Sequence, residues 1–154
     1  MATQQKTSDP SVDRVDTSFL ETLIGYNARR TALAVIDVFL QRMVVHDFHS
    51  VVDFSVASLI VHNPGITSRQ LCSVLGILPP NLVGVVNGLE KRGLIQRRPH
   101  PNDGRAMGLH PTPEGLKLME QAENDAAQLE VDVASRLTAT ERKTLMRLLQ
   151  KVYL

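Results

Sequence analysis

The sequence is poor in cysteine and aromatic residues and has no long uninterrupted apolar run. Its one cysteine, Cys72, excludes a disulfide within the chain, so a reducing cytoplasm fits best. Residues 1–16 are polar and lack an apolar export core, which predicts a flexible tail, and no later segment predicts a membrane span. Glycine-rich phosphate loops, zinc-binding motifs and nucleophile elbows are absent as well, so we expect neither an enzyme nor a cofactor.

The overall charge is nearly balanced, with 17 basic and 16 acidic residues, but the basic residues are unevenly placed. Between Arg69 and Arg105 six basic residues occur with only two acidic ones, whereas the remainder of the chain is slightly acidic. A local basic patch on a slightly acidic body predicts a polyanionic partner at one place. It does not fit a protein that coats nucleic acid indiscriminately.

The segment from Thr67 to Pro113 has the pattern helix, tight turn, helix, strand, polar tip, strand. Its second helix is predicted over Asn81–Lys91, and strands are predicted over Leu94–Arg98 and Ala106–His110. This order is that of a helix-turn-helix followed by a β-hairpin, or wing. Such an arrangement places one helix and one loop against a nucleic-acid duplex.

Helical periodicity continues on both sides of this segment. From Thr17 to Val45 apolar residues occur on more than one helical face, which in so short a chain predicts burial against a second subunit. A shorter helix is predicted over Asp53–His62, a long one from Thr112 towards Leu137, and a last one from Thr138 to the C-terminus. The predicted fold is mainly α with a small β-hairpin. It comprises an N-terminal dimerisation helix in 17–50, the winged helix-turn-helix in 51–112 and C-terminal dimerisation helices in 113–154.

Local signals predict where these helices begin and which residues face inward. Thr67 with Gln70, and Thr138 with Glu141, have the spacing of capping boxes. Pro79 suits the first turn of a helix, where a missing N–H costs nothing. The inward residues predicted for the helix-turn-helix are Leu71, Val74, Leu75, Leu82, Val86 and Leu89.

Four short segments of the chain have the residues and the spacing found in a known family. They are Asn63-Pro64-Gly65-Ile66-Thr67, Leu89-Glu90-Lys91-Arg92-Gly93-Leu94-Ile95, Asp103-Gly104-Arg105-Ala106 and Thr112-Pro113-Glu114-Gly115. In combination they make the chain resemble the MarR family of winged-helix transcription regulators from Phe19 to the C-terminus. The resemblance implies a homodimer, with first and last helices interleaved, that binds a pseudo-palindromic operator in double-stranded DNA. It also implies a repressor released by a small aromatic or acyl-thioester effector.

The chemistry of the exposed side chains predicts how DNA would be contacted. Asn81 and Asn87 carry amides that can pair with base edges in the major groove, adenine especially. Ser68 and Arg69, at a helix start, can meet the phosphate backbone. The full set of predicted DNA-binding residues is Ser68, Arg69, Asn81, Asn87, Lys91, Arg97, Arg98, Asp103 and Arg105.

The wing tip carries two of these residues. Asp103 can accept hydrogen bonds from the guanidinium of Arg105 and fix its direction, or can simply cap the turn at Asn102-Asp103-Gly104. In the family that the chain resembles, the arginine matching Arg105 enters the minor groove and the aspartate braces it. The resemblance implies the same roles here.

Glycines on the predicted recognition helix leave two alternatives open. Gly84 and Gly88 stand where relatives of the family commonly have larger polar or basic residues. Either they allow close approach of DNA or a neighbouring helix, or this helix contacts few bases and the wing and DNA shape carry recognition. The second alternative also leaves room for a winged-helix module that binds protein instead of DNA.

Three further features are less specific. Arg29 and Arg30 on the mostly apolar first helix could pair with an acidic residue across the dimer or meet the carboxylate or phosphate of a ligand, and with His46 they are the candidate effector-binding residues. His46, Asp47, His49 and Asp53 could form a metal cluster, or else a polar helix terminus or a hinge, and we predict no metal. Cys72 is predicted to be a small core residue instead of a redox sensor.

Overall fold

The structure is a computed structural model that describes residues 15–100 and 103–154, without the side chains of residues 100 and 103–105. Residues 1–14 of the predicted tail therefore lie outside it. The described residues divide into two compact units, residues 15–33 and residues 34–100 with 103–154. The elements are α1 (Ile24–Met43), α2 (Val51–His62), β1 (Ile66–Thr67), α3 (Ser68–Leu75), α4 (Pro79–Lys91), β2 (Ile95–His100), β3 (Asp103–Pro111), α5 (Pro113–Val133) and α6 (Ala139–Tyr153), with single-turn 3-10 helices at Leu20–Thr22 and Val44–His46.

The first unit contains the 3-10 turn Leu20–Thr22 and the beginning of α1. Leu23 is extended between them, so the continuous helix predicted from Thr17 is interrupted there. The side-chain amide of Asn27 donates to the carbonyls of Glu21 and Leu23, at 2.8 and 2.9 Å, and so joins the turn to the helix. The large apolar side chains of this unit that remain exposed are Val15, Phe19, Leu20, Leu23, Ile24 and Leu33.

In the second unit, side-chain caps define the helix starts as the sequence predicts. Thr67 accepts a hydrogen bond from the backbone N–H of Gln70, and the Gln70 side chain accepts one from the N–H of Thr67. The same reciprocal box joins Thr138 to Glu141 at the start of α6. Each box satisfies two N–H groups that a helix end leaves free. The predicted boundaries change slightly elsewhere: α2 begins at Val51, α4 at Pro79, and α5 ends at Val133.

The wing is part of a three-stranded antiparallel sheet with strand order β1-β3-β2. The two long strands pair as the predicted hairpin, with Arg97 opposite Leu109 and Arg98 opposite Gly108. The sequence prediction missed β1, which pairs Ile66 with Leu109. A strand of two residues is too short to show the alternation that identifies strands in a sequence.

The core of the second unit joins α2, α4, α5 and the sheet. Its largest fully buried side chains include Met43, Phe48, Val56, Ile60, Leu71, Leu82, Leu89, Leu109, Met119 and Leu129. Phe54 makes edge-to-face contacts with Phe39 and Phe48, at ring-centroid distances of 5.4 and 5.6 Å. The inward prediction for α4 is confirmed, but Val74 of α3 is 65% exposed, so its inward prediction is wrong. Leu71 alone is buried on that short helix.

The start of α5 is held against the corner between α4 and β2. The Thr112 hydroxyl donates to the carbonyl of Gly93 at 2.6 Å, and the Thr112 N–H donates to the carbonyl of Leu94 at 3.0 Å. A Cβ atom on Gly115 would lie only 2.0 Å from the Leu94 carbonyl oxygen. Glycine is therefore required at position 115 by close packing of two backbones, since its φ is not positive.

The last helix differs from the rest of the second unit. All of α6 is described, and none of its residues is buried. Its exposed apolar side chains are Leu145, Met146, Leu148, Leu149, Val152 and Tyr153. Among residues 15–100 and 103–154, no single helix is long and apolar enough to cross a membrane. Two pairs of consecutive helices reach that length and composition when the two helices of a pair are combined, but each pair is bent.

Candidate nucleic-acid interface

The exposed side of α4 is the centre of the candidate interface. Leu82, Val86 and Leu89 are buried at the helical spacing of four and three residues, which fixes the rotation of the helix. After the two prolines of the first turn, the exposed residues of this helix are Asn81, Val83, Gly84, Asn87, Gly88, Glu90 and Lys91. Both predicted reading amides are therefore exposed, together with the predicted cation Lys91. Val83, which the sequence prediction missed, is an exposed apolar neighbour four residues before Asn87.

The first turn of α3 lies beside this helix. Ser68 and Arg69 are exposed there, as a role at a phosphate backbone requires. Between the two helices is a cavity of about 310 Å³, whose lining includes Arg69, Cys72, Val83 and Arg97. Cys72 is half-buried at its wall, so the prediction of a small core residue is only partly confirmed.

Arg97, at the start of the wing, is bound to the recognition helix. Its Nη2 donates to the side-chain oxygen of Asn87 at 2.5 Å, and its Nε lies 3.2 Å from a carboxylate oxygen of Glu90. Side chains alternate along a strand, so Arg98 leaves β2 on the opposite face, where it is exposed. The two neighbouring arginines, predicted as equivalent DNA contacts, therefore have different surroundings.

The tip of the wing carries the two residues for which the resemblance implies the most specific roles. The backbone of Asp103 and Arg105 belongs to β3, and Asp103 pairs with His100 across the hairpin. Their side chains lie outside the described residues. The minor-groove role of Arg105 and the bracing role of Asp103 remain predictions.

Arg92, at the end of α4, was not among the predicted site residues, yet it makes three contacts. Its Nη2 donates to the carbonyl of His46 at 2.8 Å, and its Nε lies 3.2 Å from the Asp47 carboxylate. Its guanidinium also stands 5.2 Å from the ring centre of the buried Phe48. The end of α4 is thereby attached to the turn before α2.

The histidines and acids of this turn form pairs. The His46 ring nitrogen is 2.7 Å from the Asp125 carboxylate, and the His49 ring nitrogen is 2.7 Å from Asp47. No group of three potential metal ligands occurs in the part of the chain that the structure describes. Each of the two histidines is thus paired with one carboxylate, and the absence of a metal at this turn stays a prediction. The other two effector candidates, Arg29 and Arg30, are exposed on α1 in the first unit.

The glycines of α4 have space around them. A Cβ atom at Gly84 or Gly88 would meet no heavy atom of the described residues within 4 Å. Glycine at these two positions is therefore not required by close packing against a neighbouring helix of the same subunit. Both border an open groove of about 400 Å³, which Asn81 and His49 also line.

Comparison with known proteins agrees with this geometry. The MarR family sequence model matches residues 50–106, which include α3, α4 and β2. A Thauera aromatica protein named for transcriptional regulation of the hcr operon is 30% identical over 130 residues, covering 84% of this chain and 78% of its own length. The chain belongs to the MarR family. It is thus a member of a family of winged-helix transcriptional regulators and not of enzymes.

Solved structures of MarR-family relatives have the same architecture. The transcriptional repressor CouR bound to a 23-mer DNA duplex superposes with a TM-score of 0.84 at 29% identity, covering 92% of this chain and all of that one. CouR from Rhodococcus jostii RHA1 bound to p-coumaroyl-CoA superposes with a TM-score of 0.77 at 25% identity, covering 86% and 93% of the two chains. The mainly helical fold with a small antiparallel sheet and flanking helices is therefore confirmed.

Proposed function

We propose that this MarR-family regulator is a homodimeric, sequence-specific DNA-binding repressor that a small aromatic or acyl-thioester effector releases from its operator. The observation that carries the proposal is the exposed side of α4, which presents Asn81 and Asn87, with Arg97 of β2 bonded to Asn87. A helix fits the major groove of B-DNA, and a neighbouring basic strand suits the phosphate backbone. The CouR relative bound to a DNA duplex supports the same use of the fold.

Dimerisation is supported by apolar surface that the single chain leaves uncovered. α6 has no buried residue although Leu145, Leu148, Leu149 and Val152 recur along it at helical spacing. In the first unit, Phe19 and Ile24 are exposed to 73% and 68%. Large apolar side chains left exposed in this way indicate an interface, and a second copy is the occupant that a pseudo-palindromic operator requires. Two α4 helices would then contact half-sites about one helical turn apart.

Release by an effector is supported by the CouR relative that binds p-coumaroyl-CoA, an aromatic acyl thioester. In a dimer that reads two half-sites, a ligand need only change the separation of the two α4 helices to weaken both contacts. Arg29, Arg30 and His46 remain the candidate residues for the acidic part of such a ligand. Whether effector binding loosens DNA can be measured by adding p-coumaroyl-CoA to the protein–DNA complex.

The test of DNA binding uses Arg105→Ala and a duplex from the region upstream of this protein's own gene. Wild type should bind with salt-sensitive affinity, and the variant should bind every sequence more weakly with a log–log salt slope shallower by about one unit. Lys143→Ala removes the same charge from α6 and serves as the control with an unchanged slope. An Arg105→Ala titration identical to that of wild type contradicts the wing assignment.

A protein-binding winged-helix module is the second candidate. It is favoured by exposed apolar side chains around the α3–α4 turn, where Val74, Leu78 and Val83 are exposed to 65%, 70% and 57%. This surface could bind a protein partner instead of DNA. Absence of duplex binding by wild type even at low salt, with an intact dimer, would favour this candidate over the repressor.

A further inference from the structure

We infer that Arg97 is a positioning residue that orients the Asn87 amide, so that α4 presents the amide NH₂ donor to the base at that position and favours guanine over adenine. This inference rests on the proposed DNA binding. It departs from the expectation that a free asparagine amide reads adenine, and it gives Arg97 a more specific role than that of a general DNA-binding residue.

The contacts leave one orientation for the amide. Arg97 Nη2 lies 2.5 Å from the Asn87 side-chain oxygen, while Arg97 Nε is held at 3.2 Å by the carboxylate of Glu90, three residues further along α4. A guanidinium carries donors and no acceptor. The group of Asn87 that faces it must therefore be the oxygen, and the NH₂ group must point away from Arg97.

The orientation determines which base edges fit. An asparagine reads adenine by accepting from N6 and donating to N7, so it needs its oxygen and its nitrogen together. The amide oxygen keeps a second lone pair, but the Arg97 guanidinium lies against that end of the amide, so the NH₂ group is the end left open to a base. Guanine offers two adjacent acceptors, N7 and O6, whereas adenine places its own N6 donor beside N7 and cytosine offers only a donor. The held amide therefore favours guanine over adenine.

The same contacts explain why Arg97 differs from Arg98. Glu90 compensates much of the charge of Arg97, so Arg97 is less available to phosphates than the exposed arginine beside it on β2. The Arg97 and Glu90 side chains are 38% and 41% exposed, and ion pairs at such exposure add little to stability. Variants at Arg97 should therefore fold, so their base preference can be measured.

The experiment selects a randomised duplex library on the full-length protein and sequences what is retained. Wild type should enrich guanine at one symmetric position of each half-site. Asn87→Ala should abolish the preference at that position only. Arg97→Ala should free the amide and raise adenine relative to guanine there about tenfold, as expected for gain of one bidentate pair. Arg98→Ala, the control on the opposite face of β2, should weaken binding without altering that position.

A double variant separates positioning from a general effect. In the Asn87→Ala background, Arg97→Ala should cause no further change at this position, because its effect acts through Asn87. An Arg97→Ala variant that binds all sequences more weakly with the wild-type base preference would overturn the inference and return Arg97 to the role of a general DNA-binding residue. Failure of wild type to retain any duplex would instead overturn the proposed DNA binding, and the inference with it.

Discussion

The helix-turn-helix and the last helix begin with the same local chemistry and end in different environments. α3 and α6 each start with a complete capping box, Thr67 with Gln70 and Thr138 with Glu141. We call α2 to α5 and the sheet the body. The body buries Leu71, Leu82 and Leu109 almost completely, whereas α6 buries none of its 15 residues. Caps thus determine where a helix begins, but burial depends on what lies opposite. The apolar stripe of α6 is surface for contacts beyond its own subunit.

The largest expected effect is on assembly, through α6. Leu149→Asp should convert the proposed dimer to monomer, because a symmetric interface then contains the buried charge twice. At about 2 kcal/mol for each copy, the dissociation constant should rise about a thousandfold. Light scattering across a dilution series measures it.

The control for this change lies on the same helix. Gln150→Asp adds the same charge one residue later, away from the apolar stripe formed by Leu145, Leu148 and Val152, and should leave the dimer intact. Equal dissociation by both variants would mean that charge alone matters. A Leu149→Asp protein that stays dimeric at the lowest measurable concentration would place the interface elsewhere and remove the contrast between α6 and the body.

The next largest effect concerns the body. Gly115→Ala should destabilise the fold by about 3 kcal/mol or more, since the new methyl would overlap the carbonyl of Leu94 and force two backbones apart. Urea denaturation at fixed protein concentration measures the change. Gly88→Ala is the matched control: its methyl meets nothing within 4 Å, and the helix should gain about 1 kcal/mol. Equal stability of the two variants would contradict the close packing of α5 on β2.

The fold was predictable from the sequence wherever the signal was local. Caps, helical periodicity and the strands of the wing gave the order of elements, because each depends on residues a few positions apart. Two errors show the limit. β1 has only two residues, and its pairing partner Leu109 is more than 40 residues away in sequence. Val74 has the spacing of a core residue, but α3 is short and only Leu71 reaches the interior.

The candidate site was predictable in composition but not in its internal contacts. Exposed amides and arginines follow from the pattern of α4 and the wing. That Arg97 binds Asn87 depends on the angle between a helix and a strand, which no periodicity encodes. The contact of Arg92 with the carbonyl of His46 joins residues 46 positions apart and uses a backbone atom that every residue possesses. Neither contact leaves a signal in one sequence.

The smallest of the expected effects tests the contact of Arg92 with His46. It again compares a residue of the body with a residue of α6. Arg92→Ala should lower the free energy of unfolding by about 2 kcal/mol, since it removes a hydrogen bond to His46, an ion pair with Asp47 and the stacking on Phe48. Urea denaturation at constant dimer concentration is the measurement. Arg147→Ala, the same substitution on exposed α6, should change stability by less than about 0.5 kcal/mol.

Arg92→Lys distinguishes charge from shape in the same contact. Lysine keeps the attraction to Asp47 but has no planar fork to donate to His46 while lying over Phe48, so it should recover less than half of the lost stability. Because Arg92 anchors the end of α4 and its hydrogen bond and ion pair go to His46 and Asp47, its variants should bind DNA more weakly without changing base preference. A change of base preference in Arg92→Ala would show that the anchor also sets the rotation of α4, and the body and its reading surface could then no longer be treated as separable.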